Sequence, residues 1–173
     1  MQRTVLFVVL ATFVAVSFAT MPGTAASAPV VVGAGAHGYD WLLGSWSCVN
    51  PNPGPLSGPA ATSYTASRAN DGVGVIVRTK GKGFDLTTYI AYDSKTKTWW
   101  GPEAYADGSY ESESSTGTGS KVTWTGNYYS PSGAATKVRD MYTLLGPNKQ
   151  LDVGQSQNGG TWKTTYSITC TRS

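Results

Sequence analysis

The sequence predicts an all-β fold, an antiparallel up-and-down barrel of about ten strands opened by a short N-terminal helical turn. Three observations lead there. Aromatic residues make up 12% of the chain and charged residues only 13%, with 21 glycines, a composition of strands and turns rather than of a coiled coil or a disordered chain. From Leu42 onward, short runs rich in Thr, Val, Tyr and Trp are separated by turn signals about 8–12 residues apart. No long run of helical periodicity interrupts them, so successive strands pair as hairpins, and a meander of this length closes on itself and leaves no edge strand exposed.

The turn signals are Asn70-Asp71-Gly72, Gly81-Lys82-Gly83, Asp93 to Thr96, Ala106-Asp107-Gly108, Gly117-Thr118-Gly119, Pro131-Ser132-Gly133, Gly146-Pro147-Asn148 and Asn158-Gly159-Gly160. They delimit runs near 43–49, 61–69, 73–79, 84–92, 97–105, 109–116, 121–129, 136–145, 150–156 and 161–171. Before the first run, Tyr39 to Leu43 has room for one helical turn at most. Successive side chains on a strand face opposite sides. In the first run Leu42, Gly44, Trp46 and Cys48 therefore share the apolar face. In 84–92 the inner set is Phe84, Leu86, Thr88, Ile90 and Tyr92. In 109–116, Glu111 and Glu113 are expected in water, which turns Tyr110, Ser112 and Ser114 inward. Val122 and Trp124 face in on the next run. The run 137–144 stays open, with either Val138, Asp140 and Tyr142 or Arg139 and Met141 toward the lumen. On the last run Trp162, Thr164, Tyr166, Ile168, Cys170 and Arg172 share the inner face.

Residues ahead of the barrel read as an export signal. Arg3 supplies a positive start, Val5 to Ala19 carries no charge, and small residues follow at Thr24 to Ala28. The expected division is a signal peptide at 1–28, a flexible leader at 29–38 and a barrel domain at 39–173. The apolar run is shorter than the roughly 20 residues a membrane anchor needs. Gly33, Gly35 and Gly38 spell a dinucleotide fingerprint, but no helix follows and the position of the required acid is Pro- and Asn-rich, so the motif is dismissed.

Cys48 and Cys170 suit an oxidising, secreted or periplasmic destination. Both fall on the apolar face of their strands and meet if the first and last strands pair; the alternative is two buried thiols. A bridge across more than 100 residues contributes roughly 4–5 kcal/mol in the chain-entropy model.

The net charge of +3, or +2 once Arg3 leaves with the signal, is too small and dispersed for phosphate-driven nucleic-acid binding. One histidine and two bridged cysteines assemble neither a metal site nor a Ser–His–Asp triad, and no cofactor is expected. Trp99-Trp100 puts one indole on each side of the wall. The connection from Asn50 to Pro59, with four prolines, reads as a semi-rigid cover over one barrel mouth.

Gly44-Ser45-Trp46 behind a helical turn resembles the opening of calycin-type barrels, lipocalins and nitrobindins among them. The stretches Tyr92 to Trp99 and Asp107 to Tyr110 are similar to bacterial lipocalin-like domains of unassigned function, and the likeness spans about 39–172. It implies that Arg172 packs over Trp46 as a structural clasp. Nitrobindins hold haem through a barrel histidine, whereas the one histidine here, His37, precedes the first strand; haem would need a Tyr or Met ligand instead.

The functional expectation is an exported protein that holds a small, partly apolar ligand in the lumen, contacted by Tyr110, Ser112, Trp124, Tyr142, Trp162 and Tyr166. It has no nucleic-acid partner and no stable membrane insertion after the signal is removed. Two rivals stand beside it: a barrel enzyme using lumen groups such as Asp140 or Arg139, and a surface module using Trp99 or Trp100 against carbohydrate or protein.

Overall fold

The computed structural model describes residues 37–54, 57–69 and 72–173. The expected signal peptide and most of the leader lie outside the described residues. A 3-10 turn, Asp40–Leu42, precedes ten strands: β1 (Gly44–Val49), β2 (Ala61–Arg68), β3 (Val75–Gly81), β4 (Phe84–Asp93), β5 (Thr98–Tyr105), β6 (Tyr110–Ser115), β7 (Lys121–Tyr129), β8 (Ala135–Gly146), β9 (Lys149–Asn158) and β10 (Thr161–Arg172). Each strand pairs antiparallel with its neighbours in sequence, and β1 pairs with β10 to close the barrel. No helix among the described residues is long and apolar enough to cross a membrane.

The β1–β10 seam joins the first and last strands of the barrel. Trp46 lies opposite Arg172 and Cys48 opposite Cys170. The two cysteines form a disulfide, compatible with an oxidising compartment. Trp46 is buried, donates its indole N–H to the Leu42 carbonyl at 2.8 Å and stacks on Tyr64. The Arg172 guanidinium lies 4.5 Å from the Trp46 ring centre and donates to the carbonyls of Trp41 and Leu43. This seats the 3-10 turn across one end of the barrel. Tyr39 enters beneath it, edge-on to Trp99 at 4.5 Å and against Trp124 at 5.3 Å, while Arg68 pairs with Asp40 from outside. The far end opens between the connection from β1 to β2 and the turns β3–β4 and β5–β6.

Two orientations expected from the sequence are reversed. On β6, Glu111 and Glu113 point inward, while Tyr110 is half exposed and stacks on Tyr129 with ring centres 4.5 Å apart. Cross-strand partners share a face, and the register sets Trp99, Gly101 and Glu103 opposite Ser115, Glu113 and Glu111. Burying the Trp99 indole against Tyr39 fixes the parity of both strands and carries the carboxylates in with it. Ser112 accordingly goes to the outer wall.

On β10 the register shifts between Thr164 and Tyr166, so the alternation breaks there. Tyr166, Ile168 and Cys170 face the lumen as expected. Trp162 does not; it lies under the Arg139 guanidinium, 4.4 Å from its ring centre, away from the cavity. The open choice on β8 resolves to Val138, Asp140 and Tyr142 inward.

Candidate functional site

A cavity of about 960 Å³ runs from the aromatic plug to the open mouth. Its floor is Tyr39, Trp41, Leu42 and Trp124, and one wall carries Tyr64, Val77, Leu86 and Ile90. At the mouth stand Phe84, Tyr105 and Tyr128, the first and last each edge-on to Tyr105. Pro53, Gly58 and Pro59 of the proline-rich connection border the same opening. That connection is tied down by Asn50, whose backbone N–H bonds the Ala60 carbonyl at 2.8 Å and whose side-chain amide bonds the Ser57 carbonyl.

The opposite wall is acidic. Glu103 on β5, Glu111 and Glu113 on β6, Asp140 on β8 and Asp152 on β9 all line the cavity. Glu111, Glu113 and Asp140 each bring one oxygen within 4.8 Å of the others. Their partners are hydroxyls rather than cations. Thr88 donates to Glu103 at 2.9 Å, and the Tyr105 hydroxyl lies 3.3 Å from Glu103 and 3.0 Å from Glu111. One oxygen of Glu113 and one of Asp152 are buried with no hydrogen-bond partner among the described residues. A buried polar atom without a partner costs about 1–3 kcal/mol, so a hydrogen-bond donor reaching either oxygen would be favoured.

Glycines make the room for this wall. Glu113 has Gly101 opposite it on β5 and Gly126 on β7, and Asp140 has Gly154 on β9. The Trp124 ring lies over Gly101, where a Cβ would come within 2.9 Å of it, and the Tyr166 ring covers Gly154 even more closely, at 2.1 Å. Two aromatic rings are thereby packed close to backbone beside the carboxyl groups.

Burial and mutual repulsion raise every one of these acids above its ordinary range. Burial, then the charges of Glu103 and Asp140, push Glu111 up to about 9. Burial first and Asp140 second push Glu113 up to about 11. Asp140 rises to about 7, by burial and then Glu103, against a hydrogen bond from Tyr166. Glu103 and Asp152 are raised as well, chiefly by burial. The same burial and negative charge hold the Tyr105, Tyr142 and Tyr166 phenols protonated far above neutral pH. Chemically, the wall can donate protons, attract positive charge, or close three carboxylates around a hard cation.

Of the ligand residues expected from the sequence, Trp124, Tyr142 and Tyr166 line the cavity, while Tyr110, Ser112 and Trp162 do not. Tyr110 and Ser112 instead border a shallow outer groove with Trp100, which is half exposed, whereas Trp99 is buried in the plug. Glu103, Asp152 and Tyr105 went unassigned, and Glu111 and Glu113 were expected on the outer face. One signal for them was available: with Trp99 inward, Gly101, Glu103 and Tyr105 follow by alternation. No family model matches this chain, and no curated protein matches it.

Proposed function

We propose that this protein is an exported, calycin-type barrel that holds a small, partly apolar molecule in its lumen and does not catalyse a reaction on it. One observation carries the reading: a cavity of about 960 Å³, plugged at one end and walled by aromatic and aliphatic side chains with a few convergent polar groups. That size and lining suit a drug-sized organic ligand. The disulfide and the export-like N-terminal sequence support a secreted or periplasmic location. Native mass spectrometry on protein purified from its own host tests it. A co-purifying small mass, released on denaturation, is expected. A ligand-free mass together with exclusion of neutral apolar dyes would contradict a container role.

The enzyme reading gains support from Asp140, pushed up to about 7, where general acid–base groups operate best. Arg139, the alternative to it on the other face of β8, stacks on Trp162 away from the cavity. We favour binding because the reading rests on the size and lining of the cavity, which suit a held molecule whatever the protonation state of Asp140.

A further inference from the structure

We propose that the lumen selects an organic cation, an amine carrying an aromatic or aliphatic body, with its ammonium group held among Glu111, Glu113 and Asp140. This inference rests on the lumen-binding reading above and adds the charge class of the ligand.

Charge balance is the first reason. Beyond the five acids of the wall, Asp85 and Asp107 stand at the mouth, and Lys82 is the only base among the residues lining the cavity. An anionic ligand would keep these acids from ionising, whereas a cation lets them ionise and pair with it. A neutral ligand would leave the acids as they are. The second reason is independent of the count. Glu113 lines the cavity and is 5% exposed, and one of its oxygens is buried with no partner among the described residues. Asp152 has an oxygen in the same condition. An ammonium brings three N–H donors and no acceptor, which is the complement these atoms lack.

The third reason is shape. The Trp124 and Tyr166 rings, packed against Gly101 and Gly154, line the cavity beside the carboxyl groups, so a cation there meets aromatic surface as well as the acids. A bare metal ion would use the carboxylates alone. It would leave most of about 960 Å³ of largely aromatic and aliphatic space without a purpose.

The test is calorimetric titration of the purified protein with three probes of one shape: 2-(1-naphthyl)ethylamine, 2-(1-naphthyl)ethanol and 3-(1-naphthyl)propionate. Calcium chloride and the neutral dye N-phenyl-1-naphthylamine are titrated in parallel. The amine is expected to bind at least about tenfold more tightly than the alcohol, with the propionate weakest, since pairing a buried charge exceeds a neutral hydrogen bond. Glu113→Gln, and Glu111→Gln as a second variant, should weaken the amine by about tenfold while leaving the alcohol within about twofold. Equal affinity for amine and alcohol, or preference for the propionate, overturns the cation assignment and leaves the container standing. Calcium binding without amine binding overturns it in favour of a metal. Exclusion of all three probes and of the neutral dye removes the container reading and this inference together.

Discussion

The β1–β10 seam and the acidic wall bury charge in opposite ways. At the seam, one cation, Arg172, is delivered to two backbone carbonyls and the face of Trp46. Its positive charge meets acceptors and ring electron density, and the disulfide sits two register pairs away. On the wall, five groups of one sign gather with hydroxyls as their hydrogen-bonding company, and two of them keep an oxygen unmatched. A seam of complementary groups stabilises the fold. A wall of like groups costs stability and leaves capacity to bind something of the opposite sign.

The difference can be broken most forcefully at the seam. Replacing Cys48 and Cys170 by Ser should cost roughly 4–5 kcal/mol in denaturant unfolding, from the freed chain entropy across 122 residues. Trp46→Ala should lose about 3–5 kcal/mol, because a fully buried indole leaves a cavity and Arg172 loses its ring. Next in size is Gly154→Ala, whose methyl would strike the Tyr166 ring; overpacking of about 1–3 kcal/mol is expected, with Tyr166 displaced toward Asp140.

Changes to the wall should act with the reverse sign. An unfolded chain ionises its carboxyl groups near pH 4–4.5, whereas the folded barrel keeps them protonated to higher pH. Between those limits the unfolded state binds fewer protons, so stability falls as pH rises. The ligand-free barrel should be most stable near pH 4 and weaken from about pH 4.5 upward, the loss ending near pH 7 for Asp140, pH 9 for Glu111 and pH 11 for Glu113. Glu113→Gln should then stabilise the protein at pH 8 by about 1–3 kcal/mol, with little effect at pH 4, as read by melting at both pH values. The smallest effect belongs to the outer wall. Tyr110→Ala should cost less than about 1 kcal/mol, the worth of one exposed stacked pair, and leave ligand affinity unchanged.

Much of the barrel was legible because turns and alternation are local signals. Asn158-Gly159-Gly160 and Gly81-Lys82-Gly83 mark hairpins without knowledge of the rest of the chain. Cys48 and Cys170 could be paired because parity within β1 and the end of β10 is undisturbed between each cysteine and its neighbouring tryptophan or isoleucine. Two assignments were not legible. Placing Glu111 and Glu113 in water follows the ordinary preference of single charges, but on β6 the register with Trp99 overrides it. The inward assignment of Trp162 fails because the bulge near Thr165 carries no glycine or proline to announce it. The ambiguity on β8 likewise required the pairing of Asp140 with Trp124, which only the closed barrel supplies.

A carboxyl-selective NMR titration of the ligand-free protein, with Glu113→Gln and Asp140→Asn used for assignment, probes the wall itself. Asp140 should titrate near pH 7 and Glu111 near pH 9, with Glu113 still protonated at that point. Midpoints for all three in the ordinary range near pH 4–4.5 would mean that these side chains lie in bulk water, and the acidic lumen would not exist.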